Sequence, residues 1–185
     1  MENKGLLENA VVLIYGDHHA QISKSDYELI FNYDEIANEL IDKADDHYIN
    51  VDNAYLKQVQ RTPLIIWSKD KTFQSHITQP MGMIDVMPTI ANMLNIENPY
   101  QLGKDIFNVE NNQVIFPDGS FLDKDIYYNS SNLTIYNMAT NKVMFNLEDF
   151  DEDILDKIKK VEDTLVLSSK IIENDIIKYY KESLN

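Results

Sequence analysis

The sequence predicts an α/β protein: a mostly parallel sheet with helices, then an antiparallel hairpin region and a long C-terminal helix. Three observations carry that expectation. Two uninterrupted apolar runs, one from Ala10 to Tyr15 and one ending at Trp67, are each followed by segments of helical period. An Asp118-Gly119 pair separates two short β-prone stretches. From Glu152 onward, apolar residues recur every three or four positions opposite a charged face.

The first run is rich in β-branched residues and stops at Gly16, the pattern of a strand buried on both faces of a parallel sheet. In Ser23 to His47, residues Leu29, Ile30, Tyr33, Ile36, Ala37, Leu40 and Ile41 keep a helical period, so this stretch reads as a helix or a long insertion. The next strand is "RTPLIIW", with Pro63 near its start, where a missing N–H costs least. Polar "SKDKTFQSH" reads as a turn. "IDVMPTIANMLNI" predicts a helix with Asp85 as N-cap, Pro88 in the first turn, and Val86, Ile90, Met93 and Leu94 as its apolar stripe. "QVIFPDGSFLD" and "LTIYNMATNKVMF" read as hairpins. The last helix carries Ile154, Ile158, Val161, Leu165, Ile172, Ile176 and Tyr179 on one face. Unbroken from Glu152 to Lys181 it would be about 45 Å long, lying across the sheet or along the domain edge.

With 185 residues the chain is long enough for one domain, expected to cover 1–185, and no linker or repeat divides it. The net charge of −15 repels phosphate backbones, which argues against nucleic acid and against a basic patch docked on an anionic membrane. The absence of cysteine removes disulfides, thiolate zinc sites and cysteine nucleophiles together. The apolar runs are far shorter than the roughly twenty residues that span a bilayer, and "MENKGLLENA" lacks the apolar core of a signal peptide.

The stretch that carries chemistry is "GDHH", at the end of the first strand. Sites in an open parallel sheet form beyond the carboxyl ends of strands, where Asp17 and His18 would sit. A carboxylate oxygen beside an imidazole nitrogen suits Mn²⁺, Mg²⁺ or Zn²⁺. Neighbours on an extended chain point opposite ways, so the backbone must turn at Gly16–Asp17 for both to reach one ion. Two adjacent ligands do not make a site, and spacing alone leaves a polar loop as the competing reading. His76 reads either as a loop histidine or as a group near that ion; His47 reads as a surface residue. Arg61 is expected to pair with an acidic neighbour rather than bind phosphate, and N-capping accounts for Asp85. The eleven tyrosines are expected to serve core and rim packing.

"VVLIYGDHHAQIS" resembles the strand and metal-binding turn of membrane sulfatase-like enzymes of the lipoteichoic acid synthase type, in the alkaline phosphatase superfamily. Five further segments are similar in order: "LKQVQRTPLIIW", "GMIDVMPTIANMLNI", "LGKDIF", "DGSFLDKDIYY" and "NDIIKYY", covering Glu8 to Tyr180. The resemblance implies a partial alkaline phosphatase/sulfatase-like sandwich, the C-terminal portion of an extracellular catalytic domain. It implies Asp17 and His18 as two metal ligands, with manganese the first choice, and His76 near substrate; His19 stands where the family often has an aromatic residue. The implied chemistry is phosphoglycerol transfer, or hydrolysis of phosphate or sulfate esters, in cell-envelope polymer synthesis. The family's threonine nucleophile, a glutamate ligand and the membrane helices have no counterpart here, so the chain alone is expected to be inactive. Its expected partners are the N-terminal half of the catalytic domain or a second copy at the sheet edge, with the membrane reached only through that N-terminal part. The alternative is a non-catalytic solitary module for binding or assembly.

Overall fold

A computed structural model describes residues 5–69 and 76–183, which divide into two compact units at Ile77/Thr78. The turn expected over 68–76 falls largely outside the described residues.

In the first unit, strand β1 (Val11–Tyr15) pairs with β4 (Leu64–Ser68). The α/β class holds, but the expected parallel order does not: the two strands are antiparallel, with Val11 opposite Ser68 and Tyr15 opposite Leu64. The Gly16 N–H donates to Pro63 O at 3.4 Å, so the chain that leaves β1 re-enters β4 at the same end. A parallel pair would need a crossover carrying the chain to the opposite end. Nor is the ribbon buried on both faces: Ile14 and Ile65 are more than half exposed, and Val11, Tyr15 and Trp67 nearly so.

The stretch 23–47 is helical only over α1 (Lys24–Phe31). Ser23 caps it by accepting from Asp26 N–H. It stops where the buried Asn32 side chain takes over the backbone's bonding, donating to Glu28 O and Ile49 O and accepting from Ile49 N–H. Asp34 then accepts from the N–H groups of Ile36 and Ala37, and Asn38 takes φ 57°, closing a hairpin between β2 (Tyr33–Asp34) and β3 (Glu39–Leu40). The apolar period was right for a helix, but these short polar side chains compete for the backbone and win. Helix α2 (Asn53–Val59) is capped by Asp52, which accepts from Tyr55 N–H at 2.7 Å.

In the second unit a 3₁₀ turn (Met83–Asp85) leads into α3 (Val86–Met93), which buries Val86, Pro88, Thr89 and Ala91, while Leu94 is exposed. A five-stranded antiparallel sheet follows in simple meander order: β5 (Val114–Ile115), β6 (Phe121–Leu122), β7 (Ile126–Asn129), β8 (Thr134–Asn137) and β9 (Val143–Asn146). Both expected hairpins are present. Gly119 takes φ 85° in the first, and the Asn137 side chain accepts from Ala139 and Thr140 N–H in the second. Asp151 caps α4 (Glu152–Glu173) by accepting from Ile154 N–H at 2.9 Å. The helix lays Ile154 and Val161 against Phe121, Tyr128 and Ile135, forming the core of this unit. Each such side chain contributes roughly 1.5–3 kcal/mol by leaving water.

The last helix is not continuous. Asn174 ends α4, Asp175 takes φ 48°, and α5 (Ile176–Ser183) starts afresh. Ile172 and Tyr179, expected on the buried stripe, are both more than 70% exposed, so the stripe finds its sheet only over the first part of α4. The tyrosines divide accordingly: Tyr127, Tyr128 and Tyr136 are buried in the sheet, whereas Tyr179 and Tyr180 are exposed.

Candidate metal centre

β1 delivers Asp17 and His18 to the end of the ribbon, and the lead into β4 fixes where the chain may go. A Cβ on Gly16 would come within 2.9 Å of the Thr62 side chain, so glycine is needed for that close approach. Immediately after it the backbone bends at Asp17 and His18. The bend overcomes the alternation of an extended chain: His18 Nε2 lies 3.6 Å from Asp17 Oδ1, with both side chains well exposed. The other ring nitrogen, Nδ1, lies 2.8 Å from the backbone oxygen of His19. A carbonyl oxygen only accepts, so Nδ1 carries the proton. In the neutral ring, Nε2 then presents its lone pair on the side of the carboxylate.

This is the tautomer and orientation that a metal-bound histidine takes, its second nitrogen anchored to a backbone carbonyl. Two donors at about 2.1 Å from one divalent ion stand about 3–3.5 Å apart, close to the separation seen here. The donor set therefore fits a divalent cation such as Mn²⁺, Mg²⁺ or Zn²⁺ at two coordination positions. It does not complete a site: among the described residues no group of three or more His, Asp or Glu converges.

His19 is exposed and contributes its carbonyl to the anchor. His76 is exposed, and among the described residues no hydrogen bond or ion pair joins it to Asp17 or His18. His47 lies on the surface as expected, and its Nδ1 sits 2.9 Å from Asp45 Oδ1. That pair uses the nitrogen His18 gives to the backbone, which makes it a useful contrast. Arg61 corrects the expectation of an acidic partner: its Nε donates to Gln58 O at 2.6 Å, satisfying a carbonyl in the last turn of α2.

Asp85 corrects another. It stands at the N-cap position, but its side chain makes no capping bond to α3. Instead the buried carboxylate accepts from Gly82 N–H, Lys104 N–H and the Asn112 side-chain amide at 2.7–2.9 Å. Local sequence shows the 82–85 part of this arrangement, and nothing in it announces Lys104 or Asn112.

A polar cluster that sequence reading passed over lies in the first unit. Tyr48 donates its hydroxyl to Glu28 Oε1, and Lys43 Nζ approaches the same oxygen at 3.4 Å. The Tyr48 hydrogen bond holds the Glu28 carboxyl below its ordinary value, and the same bond holds the Tyr48 phenol above its own. All three residues line one open pocket with Asn32 and Ser25.

The mixed α/β fold, with its small sheets and long C-terminal helix, is consistent with part of a sulfatase-like domain. The family model for sulfatases matches residues 1–96, just over half the chain, and the chain belongs to that family, within the alkaline phosphatase superfamily. It is similar to the lipoteichoic acid synthases of Staphylococcus aureus strains USA300, NCTC 8325 / PS 47 and COL. The identity is 29% over 186 residues, covering 98% of this chain and 25% of each of those proteins. The chain thus spans about a quarter of the length of the curated relatives it matches. Among the described residues, no helix is long and apolar enough to cross a membrane.

Proposed function

We propose that this chain supplies two metal ligands, Asp17 and His18, to a phosphoglycerol transferase of the sulfatase type that builds a cell-envelope polymer. The observation that carries the reading is the His18 anchor: Nδ1–H is held by His19 O while Nε2 faces Asp17 Oδ1. Asp17 would neutralise part of the cation's charge. His18 would complete an edge of its coordination shell, its ring orientation set before the ion arrives. Gly16, packed against Thr62, fixes the turn that holds both. A divalent ion there, with manganese the first candidate, would offset charge on a phosphate ester and lower the pKa of an attacking hydroxyl. His76 is the residue of this chain proposed to approach the substrate.

Two protein ligands hold a divalent ion weakly, since catalytic sites commonly use about three plus solvent. The remaining ligands and the nucleophile are proposed to lie on the larger part of a protein like the relatives, membrane-anchored with this domain outside the cell. Alone, the chain has little or no transferase activity. The exposed apolar residues of β1 and β4 support the same picture: Ile14, Ile65 and Trp67 form a surface that further strands or helices of one sulfatase-like domain would cover.

Titrating the labelled chain with Mn²⁺ and following paramagnetic broadening of the four histidine rings tests the reading. His18 should broaden first and lose that priority in Asp17→Ala. Equal broadening of His18 and His47, unaffected by Asp17→Ala, would show two ordinary surface His–Asp pairs and sink the proposal.

A further inference from the structure

The open pocket of the first unit already holds an ammonium group, and that group belongs to the chain itself. The pocket has a volume of about 540 Å³ and lies between α1 and the residues that end and follow β3. Lys43 Nζ sits 3.4 Å from Glu28 Oε1 and 5.8 Å from the centre of the Tyr48 ring. The Tyr48 hydroxyl donates to the same Glu28 oxygen and so fixes ring and carboxylate relative to each other. A carboxylate beside an aromatic face suits an ammonium ion, which meets full charge on one side and the negative face of the ring on the other.

Lys43 is a loose occupant of that place. Its side chain is 79% exposed, so water screens the attraction and holding the long stem in one geometry costs entropy. Glu28 is the fixed half of the pair, its side chain only 27% exposed. Among the described residues, both side-chain contacts of Glu28 fall on Oε1, which leaves Oε2 to accept from a further donor. Asp42 adds a second carboxylate to the lining. The wider field has the same sign: residues 23–48 carry eight Asp or Glu against two Lys. The last turn of α1, where Glu28 stands, has no basic residue, so the negative end of the helix dipole adds to the attraction. Leu29, Leu40 and Ile41 make up the apolar part of the wall, and Leu29 and Leu40 are about half exposed. An aliphatic stem lying there would remove that surface from water. A bare metal ion gains nothing from the apolar wall, and a neutral aliphatic molecule gains nothing from Glu28.

We infer that this pocket binds a small alkylammonium ion, its ammonium group displacing Lys43 from beside Glu28 and Tyr48 and its stem lying on Leu29, Leu40 and Ile41. No residue of the Asp17–His18 turn takes part, so the inference stands whether or not that turn holds a metal.

The test titrates the full ¹³C-labelled chain with n-butylammonium, n-butanol or Ca²⁺ and follows the Tyr48 ring signals and the Leu29 and Leu40 methyl signals. n-Butylammonium should move all of them saturably. Lys43→Ala removes the resident ammonium and should tighten n-butylammonium about threefold, the gain from releasing one exposed ion pair. Glu28→Gln keeps an oxygen that accepts from Tyr48 but loses the charge, and should abolish saturation. Equal affinity in wild type and Lys43→Ala, or wild-type affinity in Glu28→Gln, would overturn the inference. Saturable shifts of the same signals with n-butanol would overturn it in favour of a plain apolar cleft, and with Ca²⁺ in favour of an unselective acidic surface.

Discussion

Asn112 donates its side-chain amide to Asp85 Oδ2 at 2.7 Å, joining two buried residues 27 positions apart in the sequence. With the Gly82 and Lys104 N–H groups this gives the carboxylate three donors, and it ties the 3₁₀ turn before α3 to the approach to the hairpin sheet. Asp85→Ala would strand those donors inside the second unit. The expected loss is about 3 kcal/mol, read as a lower urea midpoint at unchanged slope. Asp85→Asn keeps the shape but swaps one acceptor for a donor, and should cost less than the alanine. Equal midpoints for wild type and Asp85→Ala would show that the node does not stabilise the unit.

Gly103 touches the same region from the other side. A Cβ there would meet Ile84 O at 2.1 Å, a backbone atom that cannot swing away. Gly103→Ala should therefore destabilise by about 2 kcal/mol or more. Gly119→Ala, strained by its φ of 85° but in contact only with Ser130 at 3.8 Å, should cost about 1 kcal/mol. Thermal melts of the two variants give the order.

Ile135 and Ile172 separate buried from merely periodic positions. Ile135 is fully buried in the core of the second unit, and Ile135→Ala should cost about 3 kcal/mol. Ile172 carries the same helical period as Ile154 and Ile158 but is 77% exposed. Ile172→Ala should change stability by less than about 0.5 kcal/mol in the same denaturation series.

The Tyr48–Glu28 hydrogen bond predicts a pH dependence. Glu28 has its folded value lowered, chiefly by Tyr48, so its contribution is present above the ordinary glutamate value and is lost as pH falls through the lowered folded one. Tyr48 has its folded value raised by the same bond, so its contribution is present below the ordinary phenol value and is lost as pH rises through the raised folded one. The Tm difference between wild type and Tyr48→Phe should thus be largest near neutrality and shrink towards both extremes. A difference that stays constant from acid to alkaline pH would refute this.

Much of the fold was legible where local chemistry settles local structure. Asp118-Gly119 gives a hairpin because glycine reaches positive φ there, and Asp151 starts α4 because its carboxylate satisfies an otherwise unpaired N–H. The Asp17–His18 pair was legible as a candidate, since a carboxylate and an imidazole, both residue types that can ligate a metal, follow a strand-ending glycine. Its geometry was not: whether adjacent residues share a face depends on a backbone bend, and the Nδ1 anchor depends on where His19 O points. The stretch 23–47, which read as a helix or a long insertion and is helical only over α1, departs for the same reason. Apolar spacing there satisfied a helix, but Asn32 found Ile49 across the fold and ended it.

The sequence by itself determined the α/β class, the sulfatase-like order of segments, the hairpins, the starts of α1, α3 and α4 and the residue types at the candidate metal turn. These follow from side-chain chemistry and backbone restrictions acting over a few residues. Only the tertiary structure decided that β1 meets β4 antiparallel, that the C-terminal helix breaks at Asp175, that Asp85 serves Lys104 and Asn112 instead of capping α3, and that the Gln79 and Asn112 side-chain oxygens are buried without donors among the described residues. Each of these depends on which distant backbone or side-chain group comes within hydrogen-bonding or packing range, and that is set by the path of the whole chain.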